Sequence, residues 1–188
     1  DMIQIHDRSG WFGASDARYI MGGWETASFA KWWMIKLGIA RQDYVNTAML
    51  AGTYHEHGIL DCLNVPERDR QIKIRALRLR VNLDGEDRTT ITEVKTHGSE
   101  VFHLNKGYWQ QCQIQMYAAQ KDCRIAAYRL LPEDYDNFFL PIDRERITLH
   151  PIAYEEKWVK DEFLPRVKEL SMCLKRGTAP CRLCLKKR

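Results

Sequence analysis

The stretch LDGEDRTTITEVK, residues 83–95, places an acid (Asp84) just before a Gly-containing turn, then a second acid and a lysine (Glu93 and Lys95) two positions apart. Side chains two apart on a strand point to one face, so Glu93 and Lys95 stand side by side and Val94 turns the other way. Gly85–Arg88 carries turn chemistry. A reversal there brings Asp84 beside the pair. Two carboxylates and an ammonium on one sheet surface suit a hard divalent cation and a water made nucleophilic near it. The same residues also suit solvated acids at a turn and a surface ion pair, which is worth little. The rest of the chain has to decide.

Immediately upstream, Leu77, Leu79, Val81 and Leu83 alternate with Arg78, Arg80, Asn82 and Asp84. This predicts a strand over 71–83 with Asp84 on its polar face. Ile72 and Ile74 keep the opposite phase, so a bulge or bend is expected near Ala76. Residues 90–96 would be the partner strand.

Further out, Glu56, Ile59, Leu60 and Leu63 fall at i, i+3, i+4 and i+7 of a helix within 49–63. An acid opening an apolar stripe is costly unless it is paired or metal-bound; otherwise it sits at the solvated start of the stripe. His55 and His57 flank it and are expected at the surface. Residues 11–17, WFGASDA, read as a loop entering a helix that runs from Asp16 to about Met21. Ser15 there either caps the helix or, with the free N–H groups of the helix start, binds phosphate with charge supplied by Arg8. A helix from Ser28 to Leu37 sends its aromatics to the core.

Downstream, a helix from Tyr108 to about Gln120 puts Trp109, Cys112, Gln113 and Met116 on one face. Gln113 interrupts that stripe with a group that needs hydrogen bonds, from Tyr117 one turn on or from nearby backbone. Cys123–Leu131 reads as a strand. Further strands are expected at Phe138–Pro141 and Ile147–His150. Glu155–Leu174 is an amphipathic helix with Trp158, Phe163, Val167 and Leu170 inward, kinked or split at Pro165.

With 188 residues, 45% hydrophobic, the chain suits one well-buried domain over 1–188. A net charge of +4 is compatible with a polyanionic partner. No apolar run approaches the ~20 residues that span a bilayer. No signal-peptide pattern is visible, and six cysteines read as reduced thiols, so a cytoplasmic location is expected. Cys173, Cys181 and Cys184, with Cys62 upstream, match no metal spacing cleanly, and ordinary thiols are preferred to a zinc or iron–sulfur site. From about residue 175 a basic, mobile tail is expected.

Taken in order, Arg8, Gly13–Ala17, Gly52–Glu56, Leu83-Asp84-Gly85, Glu93-Val94-Lys95 and Tyr108–Gln113 resemble the PD-(D/E)XK nuclease superfamily. Within it they are most similar to the lambda exonuclease and YqaJ-type viral recombinase family. The resemblance spans residues 8 to about 130. It implies an α/β fold with a restriction-endonuclease-like core, a central mixed β-sheet flanked by helices. It also implies a Mg²⁺-dependent (or Mn²⁺-dependent) exonuclease that degrades linear duplex DNA from its ends, 5′ to 3′, in phage-type recombination. Asp84 and Glu93 would hold the metal with the Val94 carbonyl, and Glu56 would complete the acidic cluster. Lys95 would orient or activate water, with Gln113, Gln111 and Tyr117 in support. Ser15 and Arg8 would grip the terminal 5′-phosphate. Relatives form rings of three and work with a single-strand annealing protein. A structure-specific or restriction-type endonuclease on the same fold, or a non-cleaving DNA-end-binding module, are the alternatives.

Overall fold

The computed structural model describes residues 7–41 and 47–181, with the side chains of 47–51 left aside. A five-stranded mixed sheet in the order β1-β4-β5-β6-β7 forms its centre. The strands are β1 (Glu67–Arg68), β4 (Gly85–Glu86), β5 (Thr90–His97), β6 (Asp122–Arg129) and β7 (Ile147–Ile152). Only β5 and β6 run parallel, joined through helix α4 (Lys106–Ala119), the kind of crossover a parallel pair requires. The central mixed sheet flanked by helices is the expected architecture.

Two helices come first among the described residues. A 3₁₀ turn at Ala14–Asp16 runs into α1 (Ala17–Met21), and α2 (Ala27–Lys36) follows behind a Thr26 cap whose hydroxyl accepts from the Phe29 N–H. Trp32 and Trp33 of α2 enter the core as expected. Ser15 is not a cap. It lies exposed inside the 3₁₀ turn, and the Asp16 carboxylate takes the Gly13 N–H instead, at 2.8 Å.

Residues 71–83 do not form one bulged strand. They fold into a hairpin of β2 (Gln71–Ile74) and β3 (Leu79–Asn82), reversed by a 3₁₀ turn at Arg75–Leu77 with Arg78 left-handed at φ 51°. The phase change near Ala76 is a reversal: Ile72 pairs with Val81 and Ile74 with Leu79. This hairpin is a separate sheet, so β5 takes β4 and β6 as partners. Residues 138–141 hold no strand; they are turns ahead of β7.

Helix α3 (Thr47–Cys62) covers one sheet face, where Ile59 packs with Ala126 and Tyr128. Helix α4 covers the other, within the larger core. A short helix α5 (Pro132–Asp136) follows β6; after β7, α6 (Glu156–Trp158), a π-helical turn (Val159–Phe163) and α7 (Leu164–Arg176) run on without a break. Pro165 has no N–H to donate, and the wider π turn just before it absorbs the lost bond. Phe163, Val167 and Leu170 are fully buried. The expected mobile tail falls largely on 182–188, outside the described residues, as does Cys184.

Candidate active site

β4 is two residues long and reaches only Ile91 and Thr92 of β5, so beyond Thr92 one side of β5 has no strand neighbour among the described residues. Asp84, the residue before β4, fills that gap: its Oδ2 accepts the Val94 N–H at 2.8 Å. A strand residue points its N–H and C=O to the same side. The Val94 carbonyl therefore also faces the gap, while its side chain packs with the α3-side cluster.

Gly85 owes its place to packing more than to a turn. A Cβ there would lie 2.8 Å from both Leu60 Cδ2 and Val65 Cγ1, so only glycine lets α3 approach β4 this closely. The reversal itself falls at Asp87–Thr90, where Asp87 Oδ1 accepts from the N–H groups of Thr89 and Thr90. Helix α3 brings Glu56 near enough to Asp84 for its carboxyl to raise that of Asp84.

Glu93 and Lys95 share a face of β5, their charged groups 3.1 Å apart. Glu93 is buried, and α4 supplies its remaining partners. Gln111 Nε2 donates to Oε1 at 2.9 Å and Gln115 Nε2 to Oε2 at 2.7 Å. Lys95 Nζ donates to Gln111 Oε1 at 2.7 Å and lies 4.6 Å from the centre of the Tyr108 ring. Tyr108, Gln111 and Gln115 stand at i, i+3 and i+7, one stripe of α4.

Burial, then the neighbouring Glu56, pushes the Asp84 carboxyl well above its usual range. Burial and the Asp84 charge raise Glu93 to about 7, against the pull of Lys95 and Gln115. For Lys95 burial works downward, but the charges of Glu93 and Asp84 outweigh it and keep the ammonium protonated beyond its ordinary range. Asp84, with Glu93 on one side and Glu56 on the other, offers carboxyl oxygens of the kind a hard divalent cation takes, and such a cation would relieve their repulsion. Asp84, Glu93, Glu56 and the Val94 carbonyl are the residues that would hold it. Among the described residues no three acidic, imidazole or thiol groups stand as a preformed metal cluster.

Two of the expected site residues lie elsewhere. Gln113 is fully buried, but its amide donates to the Ala153 carbonyl and accepts from the Glu155 N–H, both at 2.8 Å. It pins the segment before α6 and does not reach Lys95. Tyr117 stands edge-on to Phe163 and lines a surface cavity of about 640 Å³ with Arg88, Lys121 and Tyr154. Gln115 was missed by the sequence reading, although a polar pair at i and i+4, Gln111 with Gln115, is a signal for it. His55, expected at the surface, is 2% exposed, with both ring nitrogens unpartnered and its ring 5.7 Å from that of Tyr128. Helix packing on the sheet placed it inward; His57 is exposed.

Ser15 and Arg8 are both exposed, and the 3₁₀ turn that carries Ser15 packs on α4, the helix of Gln111 and Gln115. Of the cysteines, Cys173 is buried in the core, Cys62 ends α3 and Cys181 is exposed.

The fold has a counterpart among solved structures. An alkaline exonuclease (LHK-Exo) from Laribacter hongkongensis superposes with a TM-score of 0.62 and 19% identity, over 90% of this chain and 93% of that one. The fold is similar to that of an exonuclease. A second structure, SSO0001, matches with a TM-score of 0.50 and 16% identity, over 96% of this chain and 82% of that one. No family model matches the sequence, and no curated protein matches it significantly. Among the described residues no helix is long and apolar enough to cross a membrane.

Proposed function

We propose that the protein is a metal-dependent deoxyribonuclease that degrades linear duplex DNA from its ends, 5′ to 3′. The observation that carries this reading is the meeting of Asp84, Glu56 and Glu93 at the open edge of β5 with the Lys95 ammonium 3.1 Å from Glu93. A pure binding module has no use for acids that repel a polyanion, and the exonuclease-like fold supports the same conclusion.

Mg²⁺, or Mn²⁺, when bound by the acids and the Val94 carbonyl, would polarise the scissile phosphate and lower the pKa of the attacking water. The chain's own residues do the rest. Gln115 and Gln111 hold the Glu93 carboxylate in one orientation, and Gln111 also fixes the direction of the Lys95 ammonium. Lys95 then offsets the charge that develops on the phosphoryl oxygens in the transition state. Ser15 and Arg8 would take the terminal 5′-phosphate. A ring of three copies and a single-strand annealing partner belong to the same reading, as does a role in phage-type recombination in the cytoplasm.

Linear and covalently closed duplex DNA, each incubated with and without Mg²⁺ or Mn²⁺, test it. Cation-dependent release of nucleotides from the linear form alone is expected. Cutting of the closed circle would replace the exonuclease reading with an endonuclease. Binding without product would leave a DNA-end-binding module.

A further inference from the structure

The turn that carries Ser15 is held by a buried ion pair. Asp16 Oδ2 lies 2.8 Å from Lys36 Nζ, and its Oδ1 accepts from Trp32 Nε1 at 2.9 Å. Lys36, 3% exposed, makes a second bond to the Arg8 carbonyl at 3.2 Å. One ammonium thus ties the backbone of Arg8 to the turn of Ser15. Lys36 and Asp16 are positioning residues, since neither side chain reaches solvent.

A third cation enters from β3. The Arg80 N–H donates to the Phe12 carbonyl at 2.8 Å, and the Arg80 carbonyl lies 3.7 Å from the point a Gly13 Cβ would occupy. Its guanidinium donates to the Asp7 carbonyl at 2.8 Å, next to Arg8 in the chain. After burial and Asp16, the charges of Arg8 and Arg80 are what Lys36 feels most. Among the described residues neither arginine forms an ion pair. The Asp7 carboxylate, the acid beside Arg80, is bonded to the Ser9 N–H at 2.9 Å. Two acids, Asp16 and Asp7, thus stand among three cations, Lys36, Arg8 and Arg80, and the surroundings of the Ser15 turn keep an excess of positive charge.

We propose that Arg80 is a third phosphate ligand, which with Arg8 and Ser15 forms one site for a terminal phosphate monoester, spaced by the buried Lys36–Asp16 pair. This rests on the end-degrading reading given above. A phosphate monoester carries close to two negative charges, and planar guanidinium forks bind its oxygens in pairs.

The test compares kcat/KM on linear duplexes ending in 5′-phosphate or 5′-hydroxyl, for wild type, Arg8→Gln, Arg80→Gln and Arg80→Met. Loss of one charge-assisted ligand should lower the phosphate-over-hydroxyl ratio about tenfold in either Arg80 variant, mainly through KM. General structural damage would lower both rates and leave the ratio unchanged. A wild-type ratio in an Arg80 variant that melts like wild type, while Arg8→Gln loses the preference, overturns the assignment of Arg80 alone. Equal rates of wild type on both ends overturn the phosphate site and this proposal with it.

Discussion

Gln115 donates its amide to Glu93 Oε2 over 2.7 Å, although the two residues stand 22 apart in the sequence. Because that bond and the one from Gln111 fix both carboxylate oxygens, the acid of β5 is oriented by the helix packed on it. Catalytic groups held this way lose little freedom when substrate arrives.

Lys95→Ala should abolish nucleotide release from linear duplex DNA, by about 10²-fold or more, since it removes the fixed positive charge that the proposed transition state needs. Binding of DNA ends and the cooperative melt should persist. Wild-type rates would remove Lys95 from the chemistry.

Two glutamines of α4, Gln113 and Gln111, should separate cleanly. Gln113→Leu leaves the Ala153 carbonyl and the Glu155 N–H unpaired and should cost about 1–3 kcal/mol of stability. Its turnover per folded molecule should match wild type. Gln111→Leu should do the reverse, with a modest change in melting and a large loss of rate. Thermal melts paired with active-site-normalised rates check both.

Gly85→Ala drives a methyl into Leu60 and Val65 and should cost about 1–3 kcal/mol by overpacking. Since Asp84 precedes it, the rate should fall as well. An unchanged melting temperature would show that α3 does not press on β4.

Acid should destabilise the fold through Glu86, which is 3% exposed. Burial alone would raise its carboxyl, but the hydrogen bonds and charges of Arg70 and Lys121 outweigh that and hold it below its ordinary 4.5. A depressed carboxyl lends stability that is complete above the unfolded value and is lost as pH falls through the folded one. The urea midpoint should therefore decline below 4.5. Glu86→Gln should flatten that decline and cost about 1–3 kcal/mol at neutral pH. An equally steep decline in the variant would assign the acid sensitivity to other groups.

Much of the site could be read along the chain because its parts are local. Glu93 and Lys95 share a face by strand geometry, and Asp84 returns beside them through a short reversal. The 71–83 segment was harder, since a change of hydrophobic phase is the same signal for a bulge and for a hairpin. Gln113 shows the limit most clearly. Its place on the apolar stripe marks it as buried, and it is, but that stripe faces the core while Glu93 meets the stripe of Gln111 and Gln115.

Residue order alone set Glu93 beside Lys95 and the succession of strands and helices around them, since alternation and helical period act over a few residues; the mixed α/β core was implied by the family resemblance. Which face of α4 meets Glu93, how far α3 leans onto β4, and where Arg80 falls relative to Ser15 were set by packing. Those contacts join residues tens of positions apart, and no local pattern encodes the angle at which one element settles on another.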